Sequence, residues 1–236
     1  MAFFLETKPA RQPFLRAPAS VIGLIAVLVA AHVGRILSPS NVSDRILNDY
    51  ALDPIRYSAH AAVSVSDRIL PLFGYMFLHA NTMHIAINCV WLLAFGPVVA
   101  RRFGGAAFVA FFLLCGLAGA ACYVALNWGL DVGVIGASGA ISGLMGAAIR
   151  MMRMRQPYLN AATLPLMPIF SSQVLSFSGV WLVINLLTGI SGLGLSGQIE
   201  SVAWEDHMGG YLAGLLLAGV FDRWVGLAAA QSRPGA

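Results

Sequence analysis

Charge is what this chain has least of. Asp, Glu, Lys and Arg together make up 10% of its 236 residues, against about 25% in ordinary soluble domains. A surface that poor in charge cannot be solvated by water alone, so lipid is the main solvent, in keeping with 58% hydrophobic residues and a mean hydropathy of +0.79. Lysine occurs once, at Lys8, and the arginines are scattered without interleaved aromatics, so the net charge of +4 marks no nucleic-acid surface. The three cysteines, Cys89, Cys115 and Cys122, all lie in apolar stretches and read as small buried fillers rather than a disulfide framework. No H-E-x-x-H motif is present. His79 and His84 are five apart, about 140° around a helix, which is poor geometry for chelating one ion. No metal or other cofactor is therefore expected. No Asp or Glu lies well within an apolar run, which disfavours a pair of carboxylates sharing an active site.

Long apolar runs are what the chain does have. A helix crossing a bilayer needs about 20 largely apolar residues, and runs of that kind fall at 19–37, 82–100, 104–127, 135–151, 175–194 and 206–227. This predicts an all-α, polytopic membrane protein with six transmembrane helices. The first run follows Lys8, Arg11 and Arg16, but it is long and lacks a clear A-x-A site, so it reads as a span rather than a cleaved signal. With the N-terminus inside, the inner segments hold Lys8, Arg11, Arg16, Arg101, Arg102, Arg150, Arg153, Arg155, Arg223 and Arg233. The outer ones hold only Arg35, Arg45, Arg56 and Arg68. That asymmetry orients the bundle with both termini cytoplasmic. Asp206 and Glu205 fall in an outer loop on this reading. The long outer connection, 38–81, mixes apolar pairs with charges and reads as amphipathic pieces in the outer interface. The stretch 156–174, with Pro157, Pro165 and Pro168, reads as a loop.

The few polar residues near the spans share a depth. His84 and Asn88 are four apart, on one face of the second span. Ser138 opens the fourth span, in GASGAISGLMGA, and His207 opens the sixth. Spans two, four and six all run from outside to inside, so these residues meet at the outer leaflet. Taken singly, Ser138 reads as a packing hydroxyl, Asn88 as interhelical glue and His207 as an interfacial histidine; His32 and His60 read as interfacial or structural. Taken together they suit a hydroxyl nucleophile, a histidine base and donors for an oxyanion. Gly139, Gly143 and Gly146 on one helix and Gly210 and Gly214 on the other would let backbones approach closely enough for a Ser138–His207 hydrogen bond.

Three motifs, HANTMHIAIN (His79, His84, Asn88), GASG (Gly136 to Gly139) and HMGGYLAG (His207, Gly210, Gly214), resemble those of the rhomboid intramembrane serine proteases in type and order. The resemblance spans about 70–230. It implies a six-span rhomboid-like bundle over 19–228, flanked by a cytoplasmic N-terminal segment, 1–18, and a cytoplasmic tail, 229–236, in a bacterial inner membrane with the site toward the outer leaflet. By the same resemblance Ser138 is the nucleophile and His207 the general base. His84, Asn88 and the Ser138 N–H form the oxyanion hole, with Gly136 and His79 in support. The fifth span, with Phe177 and Trp181, is a lateral gate. Substrates would be single- or multi-span membrane proteins; no nucleic acid is implied, and oligomeric state is left open. Two features depart from the family pattern: Ser142 stands where an aromatic often follows the nucleophile, and the first outer loop has no evident Trp-Arg pair. The alternative is a non-catalytic relative that binds or escorts membrane proteins. A transporter reading lacks an inverted repeat or a membrane carboxylate.

Overall fold

The computed structural model describes residues 17–59, 61–152, 164–191 and 203–231. Those residues form eight α-helices and no strand: α1 Ala19–Leu37, α2 Ser40–Tyr50, α3 Val65–Gly74, α4 Thr82–Phe103, α5 Gly105–Leu126, α6 Ser138–Met151, α7 Ser172–Ser191 and α8 Trp204–Gln231. The six long or apolar runs appear as α1 and α4 to α8, with ends within a few residues of those expected. Four of them, α1, α4, α5 and α7, are long and apolar enough to cross a membrane. The helix at the centre is not one of these four. α6 has only 14 residues, about 21 Å at 1.5 Å per residue, and almost all of them are buried.

Local chemistry sets the helix ends. Pro18 precedes α1 and Pro39 precedes α2, where a missing N–H is harmless. The Asn81 side chain accepts from the His84 N–H at 2.8 Å and caps α4. Gly104, at φ +82°, reverses the chain between α4 and α5. α6 starts at Ser138, three residues later than the apolar run predicts. Gly136 has φ +139°, which no helix accommodates. The outer connection holds α2 and α3, the latter closed by a reciprocal Ser64–Asp67 capping box. These bonds lower the Asp67 pKa, the Ser64 hydroxyl first. Residues 1–16, 60, 153–163, 192–202 and 232–236, which include His60, most of the N-terminal segment, Arg153, Arg155 and Glu200 and the end of the tail, lie outside the described residues.

Small residues bring α6 and α8 together. A Cβ on Gly210 would fall on the Gly139 carbonyl, one on Gly214 on the Gly143 carbonyl, and one on Gly146 on the Tyr211 carbonyl. The backbones therefore touch with nothing between them, as small-residue seams in membranes allow. α5 lies against both of these helices and supplies Phe108, Phe111 and Phe112, while α1 packs on α4 and α5 through the stripe Val21, Leu24, Leu28 and His32. Cys115 is in the core, Cys89 packs against it, and all three cysteines are free thiols.

Polar staples close both ends. At one end, Arg102 grips Asp222 with two N–H···O bonds of 2.6 and 2.9 Å and also donates to the Leu164 carbonyl at 2.7 Å. Arg150 donates to the carbonyls of Leu215 and Met167. At the other end Arg35, in the last turn of α1, donates to the His79 carbonyl at 2.8 Å. Asp206 corrects the sequence reading. It lies in the first turn of α8, 1% exposed, not in an outer loop. The Tyr75 hydroxyl sits 2.8 Å from its Oδ1, and the Gly139 backbone bonds to its carboxylate, so it ties the starts of α6 and α8 together.

Candidate active site

Ser138 is the first residue of α6 and His207 lies in the first turn of α8. The glycine seam sets the distance between them: Ser138 Oγ is 2.8 Å from His207 Nε2, a length ordinary for a hydrogen bond. The other ring nitrogen, Nδ1, is 2.8 Å from the Oδ1 of Asn185 on α7. His207 is thus engaged at both nitrogens by side chains from two other helices.

Gly136 shows how tightly the loop before α6 passes the second histidine. A Cβ there would lie 2.9 Å from His84 Nε2 and 3.6 Å from Ser138 Oγ. Only glycine leaves that space open, and its N–H is tied to the Tyr75 carbonyl at 2.9 Å. Asn88, one turn after His84, uses one amide hydrogen on the His84 carbonyl at 3.0 Å and keeps a second. His84, Asn88, Ser138 and His207 all line one cavity of about 470 Å³. Its other walls are mostly apolar, with Trp91 and Phe95 from α4, Met145 from α6, and Phe177 and Trp181 from α7. The cavity lies between α4 and α7 over the start of α6. Ser142 also lines it, and among the described residues no aromatic ring packs on His207.

His79 is fully buried beside the cavity and does not line it. Its ring meets His84 edge-on at 5.2 Å and His32 at 6.4 Å. Burial first, then the neighbouring His84 and His32, pulls its pKa down to about 3, so the ring is neutral and packs as a flat wedge behind His84. His32, which the sequence leaves as interfacial or structural, is buried at the far end of this column.

One group at the site, Asn185, escaped sequence reasoning. Asn185 lies in the fifth long apolar run, and the only signal it gave was an amide inside a span. Asp206 is next to His207 in the chain but does not bond to its ring. Consecutive helical residues diverge by about 100°, and its carboxylate turns to Tyr75 instead. Among the described residues, no three His, Cys, Asp or Glu side chains converge in the geometry of a metal site.

α7 is the outlier of the bundle. Its attachments concentrate on one face: Val174 is buried against Met145, Ile149, Tyr211 and Leu215, Gln173 bonds to the Ile149 and Met152 carbonyls, Ser178 to the Tyr211 hydroxyl, Trp181 stacks on Tyr211 at 4.1 Å, and Asn185 bonds to His207 and to the Trp204 carbonyl. Leu175, Val183 and Leu187 on the same helix are more than half exposed.

No curated protein matches the chain. A family model of the Rhomboid domain matches residues 66–223, a segment that holds α3 through most of α8 and every site residue described above. With its ordered motifs, its helical bundle and this match, the chain belongs to the rhomboid family.

Proposed function

We propose that the protein is an intramembrane serine protease that cuts peptide bonds in or near transmembrane segments of other membrane proteins. The observation that carries this reading is the 2.8 Å contact between Ser138 Oγ and His207 Nε2 at the head of a mostly apolar cavity. Ser138 donates its proton to Nε2 as Oγ attacks the scissile carbonyl. The carbonyl oxygen becomes an oxyanion beside the Ser138 N–H, whose place in the first helical turn leaves it without an intrahelical partner. His84 and the spare amide hydrogen of Asn88 line the same cavity and supply side-chain donors. His207 then passes the proton to the leaving amine, and water releases the acyl group by the same route.

The short central helix supports a recessed site. A hydrocarbon core is about 30 Å thick, and α6 covers about 21 Å of it. With its far end at the cytoplasmic face, Ser138 sits below the outer surface, where the polar cluster admits water. The Lys/Arg asymmetry of the connections supports cytoplasmic termini and a site toward the outer leaflet, in keeping with our reading of the membrane as a bacterial inner membrane. α7 is attached along one face and borders the cavity, so a substrate helix would approach between α7 and α4. Segments with Gly or other helix-weakening residues near their outer end should be cut fastest.

Cleavage of a single-span test protein in liposomes by wild type and by Ser138→Ala tests this. Cleavage by wild type alone is the expected outcome. A well-folded wild type that retains the test protein uncut would favour a binding or escort role.

A further inference from the structure

His207 needs something to hold its ring. No aromatic stacks on it among the described residues, Ser142 one turn after Ser138 is small, and Asp206 is turned away to Tyr75. Among the described residues, the side chain bonded to the ring besides Ser138 is Asn185. Its side chain is 5% exposed, and its two ends are both committed. Nδ2 donates to the Trp204 carbonyl at 3.0 Å, and Oδ1 faces His207 Nδ1 at 2.8 Å.

The first bond decides the second. Turning the amide over would set its oxygen against the Trp204 carbonyl, two acceptors facing each other, so the oxygen points at His207. An oxygen there can only accept, which places the imidazole proton on Nδ1. Nε2 is then the bare nitrogen, the one that faces Ser138 Oγ. With the opposite tautomer Nε2 would carry a proton and could not take one from the serine.

Resting on the reading of Ser138 and His207 as a catalytic pair, we propose that Asn185 is a positioning residue. It holds His207 in the tautomer and orientation that leave Nε2 free to accept the Ser138 proton. Because Asn185 belongs to α7, the base is poised only while the outer half of that helix is seated against α8. One part of the catalytic geometry is therefore carried by the helix least embedded in the bundle.

A structural role, stapling α7 to the start of α8 through Trp204, is the competing explanation, and two substitutions separate it. Asn185→Leu keeps the volume and loses both bonds. Asn185→Asp keeps an acceptor for His207 Nδ1 and loses the donor to Trp204. The readouts are single-turnover cleavage and the rate of labelling by a fluorophosphonate, each variant taken at its own pH optimum. A carboxylate beside the ring favours the imidazolium and moves the optimum of the Asp variant up. The other titratable group that faces His207 from a neighbouring helix is His84; Glu205 and Asp206, next to it in the chain, engage Asn127 and Tyr75.

The expected result is a loss of about 10–10²-fold for Asn185→Leu, part of what a positioned general base contributes, with recovery of most of that loss in Asn185→Asp. Equal losses in both variants would assign Asn185 to the staple and overturn the proposal, as would a Leu variant as fast as wild type. Nitrogen NMR of imidazole-labelled protein, with His207 assigned by its loss in His207→Gln, reads the tautomer without any turnover. A proton on Nδ1 in wild type, lost or mixed in Asn185→Leu, supports the proposal; a proton on Nε2 in wild type overturns it. If wild type is inert toward probe and substrate, the protease reading fails, while the tautomer still decides what Asn185 does.

Discussion

The contact between α6 and α8 is the most sensitive mechanical element of the site, and Gly210→Ala tests it. A methyl group on Gly210 would lie 2.7 Å from the Gly139 carbonyl carbon and closer still to its oxygen. Carbon pairs rest at about 3.5–4.0 Å, and both partners are backbone, so no rotamer change relieves the clash. The helices must part locally by about 1 Å. Gly139 is next to Ser138 and Gly210 is one turn from His207, so the separation falls on the 2.8 Å bond between them. Near 3.8 Å that contact is no longer a hydrogen bond. A misplacement of this size lowers turnover by about 10²-fold, and overpacking destabilises the fold by about 1–3 kcal/mol. Initial cleavage rates in liposomes and thermal unfolding in detergent measure the two effects separately. Gly34→Ala, where a methyl group meets nothing within 4 Å, is the control and should keep the wild-type rate. A folded Gly210→Ala protein cutting at the wild-type rate would refute the claim that backbone contact sets the Ser138–His207 distance.

Asn88→Ala removes a side-chain donor from the cavity beside Ser138, where the proposed oxyanion forms, and should lower turnover by about 10²–10³-fold with an unchanged unfolding temperature; retention of full activity would take Asn88 out of the site. His79 gives a pH dependence. Its folded pKa, about 3, lies below the ordinary 6.5, so the unfolded chain binds the proton first as pH falls. The stability it contributes is complete above 6.5 and drains away from pH 6.5 towards pH 3. The unfolding midpoint of His79→Leu should therefore fall less steeply with acid than that of wild type, and parallel curves would contradict the buried neutral ring. Arg102→Met leaves Asp222 without its two-pronged partner and should lower stability by about 1.5–3 kcal/mol. Fluorophosphonate labelling at saturating probe should be unchanged, because that ion pair lies at the opposite end of α8 from the site.

Periodicity and hydropathy made the helices legible because lipid imposes a simple rule: long, uninterrupted apolar runs. The bounds of α1 coincide with the predicted run, and those of α5 differ by one residue at each end. The site was legible where one helix face carries it, as with His84 and Asn88, or where small residues announce a close approach, as at Gly210 and Gly214. What could not be read was the rotation of one helix against another. Asn185 and His207 are 22 residues apart with a connection between them, and nothing in α7 tells which residue of α8 its amide meets. Arg35, counted with the outer segments by its position, is buried in the last turn of α1, where the His79 carbonyl accepts from it. Charge at Asp206 points to exposure in the sequence, whereas in the fold the Tyr75 hydroxyl and the Gly139 backbone satisfy its buried carboxylate.

The most direct test of the central claim is where a fluorophosphonate becomes attached. Reconstituted wild type, Ser138→Ala and His207→Ala would be treated with the probe and the adduct located by mass spectrometry. The account predicts one adduct, on Ser138 in wild type, absent from Ser138→Ala and formed far more slowly in His207→Ala. A folded wild type that takes up no probe, or carries it elsewhere, would contradict the assignment of Ser138 as a nucleophile activated by His207.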